Sequence, residues 1–460
     1  MTKFALADPL PIYPLCKKIN TRIHLPGSKS ITNRALVLAA LACGDTCLDG
    51  VLFSRDTEIM LTALEKLGFS IIIDQQQKQI RVHGEAGKIP INNAKINVGN
   101  AGTAARFLTA MLCLNPNGCY QLDGDPPMRE RPMQGLTEAL ESLNAATFTF
   151  HSKYAHFPFT MHTKGWMGGH CVVDASASSQ ILSALLLSSP CGTNETRLDC
   201  PHVRPSYVEI TRSMCAQFGA NISLTSDTGH YIVSPTQYIH PETKYFPIEP
   251  DLSAASYWFA IILIHGGKIS LPLLNKKTMQ GDARFVELLS LHGLILDKTD
   301  AEWLITSPGL MSLSEVNFDN VDFAHFSDTF LTYATIIPLL GIPMQINGIG
   351  HTRLQETDRV SAMARELTRL GQQVKETKDS LRIHPNLEAM RAIALKARNQ
   401  GSILSIDTYE DHRFAMSFAV LASYDLFGDG KPWLAIRNPS CCNKTYPNFF
   451  DTLNDVSAKL

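Results

Sequence analysis

The sequence predicts an α/β protein of two lobes, each assembled from three copies of one helix-and-strand repeat. Three observations carry this reading. A polar or glycine-rich opening followed by an apolar run of helical length recurs six times, and self-similarity at a fixed period marks a repeated architecture. A second helical pattern lies inside each period, and several are followed by a strand-like run. The stretch KYFPIEPDL, with its two prolines, falls near the midpoint at residues 245–250 and suits a crossover.

In chain order the six segments are PGSKSITNRALVLAALACG, GNAGTAARFLTAMLCL, ASASSQILSALLLSS, EPDLSAASYWFAIILIHGG, HFSDTFLTYATIIPLLG and YEDHRFAMSFAVLASYD. Anchored at Ser30, Thr103, Ser179, Ser253, Asp328 and His412, they return about every 75 residues, longer than common solenoid repeats. That favours compact lobes of three units over an open array. After their first turns these helices are nearly free of polar residues, so they are predicted to be buried on all sides. The second helices are DTEIMLTALEKLG, RPMQGLTEALESL, SYVEITRSMCAQFG, GDARFVELLSLHG and ETDRVSAMARELTRLG, and YPNFFDTLNDVSAKL closes the last unit. Their apolar residues keep helical spacing, and most end in a capping glycine. SIIID, ATFTF, NISLT and LILD read as strands.

Composition narrows the function. The chain has 460 residues, 45% hydrophobic and 18% charged, with a net charge of −2. It lacks the basic signature of a nucleic-acid binder. No apolar run reaches the roughly 18 residues of a membrane span. The start, MTKFALADPLPIYPL, carries Asp8 and prolines where a secretory signal has an apolar core. Eleven cysteines, an odd number without CxxC spacing, argue against a disulfide framework and fit a reducing cytoplasm.

The starts of the apolar helices point to anions. A helix N-terminus exposes unsatisfied N–H groups and about half a positive charge, which is a ready anion site. These starts carry Lys29, Ser30, Arg34, Asn100, Thr103, Arg106, Ser178, Ser179, Gln180, Asp328, His412 and Arg413. If the lobes face each other, the ends converge on one cleft that holds phosphate or carboxylate. Singly the motifs are weaker. GSKS lacks the spacing of a nucleotide-binding phosphate loop, and ASSQ reads equally as a plain N-cap. RERP, before a helix opened by Pro132, reads equally as a solvated charge run, QETDR reads as a capped helix start, and DHR reads equally as an exposed salt-bridged turn.

Taken together, LPGSKSITNRAL, GNAGTAARFL, GDPPMRERPM, SASSQ, QETDR, DHRFAMSF and NKTYPNFF closely resemble, in order from about Leu25 to Phe450, the motifs of the 5-enolpyruvylshikimate-3-phosphate synthase family. The resemblance implies a two-lobed inverse α/β barrel, each lobe three βαβαββ units. One lobe is discontinuous (1–26 with 248–460), the other is 27–247, the crossovers lie near 26–28 and 245–250, and the active site lies in the cleft between them. It implies transfer of the enolpyruvyl group of phosphoenolpyruvate to the 5-hydroxyl of shikimate 3-phosphate by addition and elimination, without metal or organic cofactor. It also implies a cytoplasmic monomer whose partners are these two small molecules.

By motif match, Lys29 resembles the lysine at the phosphoenolpyruvate phosphate, near both substrates. Asn100, Gly102, Arg131, Arg359, Arg413 and Lys444 resemble the phosphoenolpyruvate side, with Arg359 and Arg413 on its carboxylate. Ser30, Arg34, Ser178, Ser179 and Gln180 resemble shikimate 3-phosphate ligands, and Gln180 also borders phosphoenolpyruvate. Asp328 is the expected acceptor of the hydroxyl proton. Glu356 is expected to handle the proton at the methylene carbon with help from Lys29, and His412 to orient its neighbours or simply bond locally. Three positions depart from the family pattern. Gln355 stands where lysine is common by the shikimate phosphate. RPSY (Arg204 to Tyr207) replaces SKPY or SRPY, so Tyr207 aligns while Arg204 is read as restoring the cation Gln355 lacks. His351 stands where an asparagine ligand is common. Gly102 is expected to leave room for the phosphonate of glyphosate. The alternatives are a paralogue acting on another phosphorylated cyclitol, the sister transferase acting on UDP-N-acetylglucosamine, and a phosphate-binding homologue without catalysis.

Overall fold

One repeat shows the local logic. Strand Asn93–Asn97 leads into helix Gly102–Leu112, and strand Cys119–Asp123 returns parallel to the first. A parallel pair needs such a crossover. Helix Gln134–Ser142 follows, and strands Ala146–Phe150 and Phe159–Thr163 close as an antiparallel hairpin whose second strand lies against Cys119–Asp123. The result is a four-stranded sheet with a βαβαββ chain order. Along Phe159–Thr163 burial alternates, with Phe159, Met161 and Thr163 buried, as expected of a sheet with one face on the core and one in water.

The structure is a computed structural model that describes residues 6–225, 229–310 and 318–459. The chain divides into two compact units, Gly27–Glu249 and Met1–Pro26 with Pro250–Leu460. In Gly27–Glu249 the first repeat borrows its parallel strand from the far end of the unit: Tyr245–Pro247 lies beside Cys43–Asp49. In the other unit the borrowed strand comes from the N-terminal segment. Ile19–Arg22 pairs parallel with Gly267–Pro272, which follows helix Leu252–His265. The last repeat sets Leu404–Ile406 parallel to Leu434–Ile436, and Leu10–Pro11 supplies its third strand, antiparallel. Among the described residues this sheet has three strands and the other five have four.

Each unit is built around three helices. In Gly27–Glu249 they are Lys29–Leu41, Gly102–Leu112 and Ser179–Ser188, with Ile31 through Leu41 of the first buried without a break. In the other unit they are Leu252–His265, Phe330–Leu340 and His412–Ala422. Burial on every face explains why these segments lack an amphipathic pattern. The helices of a unit run parallel. Thr103 Oγ1 accepts from Gln180 Nε2 at 3.2 Å near two helix starts, and Arg34, a turn and a half into its helix, meets Ser183 and the Phe107 ring. In the other unit Asp328 meets Arg413 at the starts, and Thr332 meets Ser417 one turn on. Helices inside and sheets outside make each unit an inverse α/β barrel. Asp251 caps Leu252–His265 by accepting from Ala254 N at 2.9 Å, and Gly341, at φ 72°, ends Phe330–Leu340 in the left-handed conformation.

The amphipathic helices fall at Arg55–Lys66, Gln134–Ser142, Pro205–Gln217, Ala283–Ser290, Arg359–Arg369 and Phe449–Ala458. Two details differ from the sequence reading. Pro132 does not open a helix, which begins instead at Gln134, because Arg131–Met133 turns the chain out of the short helix Pro126–Arg129. An additional helix, Leu387–Asn399, buries Met390, Ala394 and Ala397 on one stripe and is capped by Asn386.

Candidate active site

In Gly27–Glu249 the helix starts bring together the residues expected from the first three motifs. Lys29 is the first residue of its helix, where no acidic residue shares the first turn. A cation there opposes the helix dipole. Asp56 offsets it, with Oδ2 3.6 Å from Lys29 Nζ. A locally unfavourable charge held in place by a partner is the pattern expected of a functional residue.

The second and third helices share a polar knot. Gln180 Oε1 accepts from Arg106 Nη1 at 2.9 Å, and Arg106 also donates to Gly102 O and Pro132 O. Arg131, 9% exposed, reaches Asn100 Oδ1 at 3.5 Å. Gly102 sits under both guanidinium groups: a Cβ placed on it meets Arg106 Nη1 at 3.0 Å and Arg131 Cζ at 3.1 Å. Glycine is what lets two arginines close over this turn. Ser178 caps its helix by accepting from Gln180 N at 3.2 Å, and Ser179 and Ser30 are half-buried at their helix starts.

Arg34 lies deeper. It donates to Thr211 Oγ1, Ser30 O, Ser183 Oγ and Tyr207 O at 2.8–3.2 Å and lies over the Phe107 ring. It ties helices Lys29–Leu41, Ser179–Ser188 and Pro205–Gln217 together. Burial brings its pKa down to about 10. Arg204 is the N-cap residue of Pro205–Gln217, one turn ahead of Tyr207 and half-buried like it.

In the other unit Arg359 is the hub. It is 1% exposed and begins helix Arg359–Arg369. Its Nε donates to Asp411 Oδ2 at 2.7 Å, its Nη1 to Asp328 Oδ1 at 3.1 Å, and its Nη2 to Glu356 Oε2 at 3.0 Å. Gln355 Oε1 accepts from the same Nη1. Burial opposes the charge on Arg359, but the three carboxylates more than offset that and its pKa is raised. Asp328 Oδ2 pairs with Arg413 Nη2 at 2.6 Å, and Glu356 Oε1 with Lys444 Nζ at 2.8 Å. Three cations therefore interlock with three carboxylates, all at most 17% exposed. Fork-shaped guanidinium groups suit such paired contacts.

Flanking residues fix this cluster. His351 Nε2 lies 2.8 Å from Ser327 Oγ, next in the chain to Asp328. His412 is buried, with Nδ1 3.7 Å from Asp411 Oδ1. Asp358 caps helix Arg359–Arg369 by accepting from Ser361 N and pairs with Arg353, while Glu356 turns toward Arg359 and Lys444.

The DHR turn is buried, so its reading as an exposed salt-bridged turn is set aside. Asp411 is 0% exposed and also accepts from Arg413 N at 2.9 Å. RERP splits: Arg129 forms an exposed pair with Asp123, and Arg131 is buried. Sequence reasoning counted Arg106 among the helix-start residues without giving it a ligand, and gave no site role to Asp411. The i,i+4 spacing from Gly102 to Arg106 is the signal for Arg106, and a carboxylate directly before two basic residues at a helix start is the one for Asp411. Among the described residues no group of three or more histidine, cysteine, aspartate or glutamate side chains is placed to hold a metal ion, and no helix is long and apolar enough to cross a membrane.

A family model described as EPSP synthase (3-phosphoshikimate 1-carboxyvinyltransferase) matches residues 15–453. The chain is 42% identical over 461 residues to the 3-phosphoshikimate 1-carboxyvinyltransferase of Opitutus terrae, covering 99% of both chains. It is 36% identical over 447 residues to the protein of that name from Nostoc punctiforme, covering 96% of this chain and 98% of the relative. Its fold is similar to the solved EPSP synthase of Acinetobacter baumannii, with a TM-score of 0.75 at 19% identity and 97% of both chains covered.

Proposed function

The chain belongs to the EPSP synthase (3-phosphoshikimate 1-carboxyvinyltransferase) family, and from that premise we propose how its residues transfer the enolpyruvyl group of phosphoenolpyruvate to the 5-hydroxyl of shikimate 3-phosphate. In the addition step the 5-hydroxyl oxygen bonds to C2 of phosphoenolpyruvate, its proton passes to Asp328, and C3 gains a proton from Glu356. In the elimination step C3 returns a proton to Glu356, the C2–O bond to phosphate breaks, and the phosphate departs with the proton held by Asp328, leaving the enol ether and inorganic phosphate.

The observation that carries this reading is the double engagement of Asp328 and Glu356. Each oxygen of both carboxyl groups meets a cation. A carboxylate is a weak base at neutral pH, so its value lies in position, and Arg359 sets both groups at once. Phosphoenolpyruvate brings a carboxylate that competes for Arg359 and Arg413, and its arrival loosens Asp328 for the hydroxyl proton. Lys444 stands by Glu356, where its charge favours the carboxylate left when Glu356 gives its proton to C3.

The anion-holding roles go to the other unit. Lys29 with Asn100 and Arg131 fits the phosphate of phosphoenolpyruvate. Ser178, Ser179, Gln180, Ser30, Arg204 and Tyr207 fit shikimate 3-phosphate, with Arg34 as the strut behind them, and His351 and Gln355 complete its surroundings. Both units then supply residues to the reaction.

Activity is tested by phosphate release from purified protein given shikimate 3-phosphate and phosphoenolpyruvate. Release that needs both substrates is expected. Release with another phosphorylated cyclitol but none with shikimate 3-phosphate overturns the choice of acceptor.

A further inference from the structure

Asp282 is a buried carboxyl group at the end of the loop leading into helix Ala283–Ser290. That loop is pinned to the start of helix Leu252–His265: Gln280 Nε2 donates to Pro250 O at 2.8 Å, and Gln280 Oε1 accepts from Leu252 N at 3.0 Å. Ser253, in the first turn of that helix, donates its hydroxyl to the Asp282 carboxyl. Helix register fixes what lies opposite. Ser256 Oγ meets Thr332 Oγ1 at 3.4 Å, and Thr332 Oγ1 meets Ser417 Oγ at 3.1 Å. One turn back along each element leads from Ser256 to Ser253, from Thr332 to Asp328 and from Ser417 to Arg413. Asp282 therefore faces the Asp328–Arg413 pair, with Asp251 as its other charged neighbour.

Two carboxyl groups facing each other away from water do not both ionise cheaply. Asp328 has two arginines, and Asp282 has a hydroxyl. The charge belongs on Asp328 and the proton on Asp282. Burial and the charge of Asp328 push Asp282 up to about 7, against the pull of the Ser253 hydroxyl and of Arg413.

We propose that Asp282 is a positioning residue for the Asp328–Arg413 pair: as a neutral acid it leaves Arg413 balanced by a single carboxylate, and when it ionises it draws on Arg413 and disfavours the carboxylate of an incoming substrate. The substrate side of this statement rests on the enolpyruvyl-transfer reading. The proton itself does not.

Two measurements on the full chain separate these. Infrared difference spectra of the substrate-free protein between pH 6 and pH 8.5 are expected to show loss of a protonated-carboxyl C=O stretch that is absent in Asp282→Asn. Ser253→Ala, which removes the donor to the ionised form, moves its midpoint upward. In the second measurement, kcat/KM for phosphoenolpyruvate is followed over the same range. The ratio of its values at pH 6 and pH 8.5 falls at least threefold in Asp282→Asn relative to the unaltered chain. A merely structural residue lowers both values alike and leaves that ratio alone. If Asp282→Asn does not fold, the Ser253→Ala midpoint decides, and an unmoved midpoint overturns the proposal. So does the same carboxyl band in Asp282→Asn, or parallel pH profiles in an active enzyme. An inactive unaltered chain with the expected carboxyl band instead refutes the reaction assigned to the site.

Discussion

The two units use the same repeat and the same three-helix centre, yet they treat charge differently at the helix starts. In Gly27–Glu249, Arg34 bonds to hydroxyls and carbonyls, Arg131 to an amide oxygen, and Arg106 reaches Gln180 Oε1 and two carbonyls. In the other unit Arg359, Arg413 and Lys444 bond to carboxylates. Neutral oxygens orient a guanidinium without cancelling its charge, so the arginines of the first unit stay attractive to anions, although Lys29 there is offset by Asp56. Carboxylates cancel it and in exchange gain a fixed place and ionisation state. On the proposed mechanism one unit holds anions and the other moves protons.

The largest effect that tests this contrast is expected from Arg359→Ala. It leaves Asp411 buried without its arginine and takes one of two cations from Asp328 and one of two from Glu356. Removing one partner of a buried pair costs about 3–5 kcal/mol. Arg131→Ala, which removes a bond of 3.5 Å to a neutral oxygen, is expected to cost about 1 kcal/mol or less. Urea unfolding compares them, and equal losses would mean that the units are held alike.

Acid should act on the carboxylate-rich unit first. His265 and His292 both belong to it, and burial pushes each down from 6.5 to about 4. Between those values the unfolded chain takes up protons that the folded unit refuses, so stability is full above pH ~6.5 and falls as the pH drops toward 4. Each histidine accounts for on the order of 2–3 kcal/mol at the acid end. In Gly27–Glu249, Asp45 raises the pKa of exposed His83, so protonation of that histidine costs nothing there. Thermal melts at pH 7 and pH 5 check this: His265→Gln, which keeps a donor for Ser423, should flatten the fall, and an unchanged slope would count against burial as its cause.

Gly102→Ala sharpens the contrast from the other side. The new methyl lands at 3.0–3.1 Å from the Arg106 and Arg131 guanidinium groups, tight enough to shift flexible side chains but not the helix. A displacement worth about 1–2 kcal/mol lowers kcat/KM for phosphoenolpyruvate roughly tenfold and weakens glyphosate inhibition at least as much. Inhibition at its original strength would remove this turn from the phosphoenolpyruvate side.

The sequence made the repeat and the buried helices legible because their signals are local: an apolar run with a polar start encodes both burial and direction. It did not show how the repeats close. Ile19–Arg22 reads INTR, with no strand pattern, and acquires its role only through pairing with Gly267–Pro272. The hub at Arg359 was equally hidden, since its partners Asp328 and Asp411 lie 31 and 52 positions away in the chain. The exposed alternative for Asp411 fails for a physical reason: charge implies solvent unless a partner is known, and that partner is Arg359. Leu387–Asn399 went unread because three small or flexible residues make a faint stripe among charges.

The smallest effect is expected at Gln355. Resemblance puts this position beside the phosphate of shikimate 3-phosphate, where a lysine is common, while its side-chain oxygen accepts from Arg359. Gln355→Lys removes that acceptor and adds a cation. Arg359 keeps four bonds to three carboxylates, which absorb the added charge, and the half-buried lysine has room to turn outward. The Michaelis constant for shikimate 3-phosphate should therefore stay within about threefold, a change under ~1 kcal/mol. Arg204→Ala, in the unit that holds anions, should raise the same constant about tenfold or more, as loss of a charge-assisted bond to phosphate requires. Equal and small changes in the two variants would show that neither residue supplies the phosphate with its cation. A large change in Gln355→Lys alone would place that contact in the proton-moving unit and blur the division of labour.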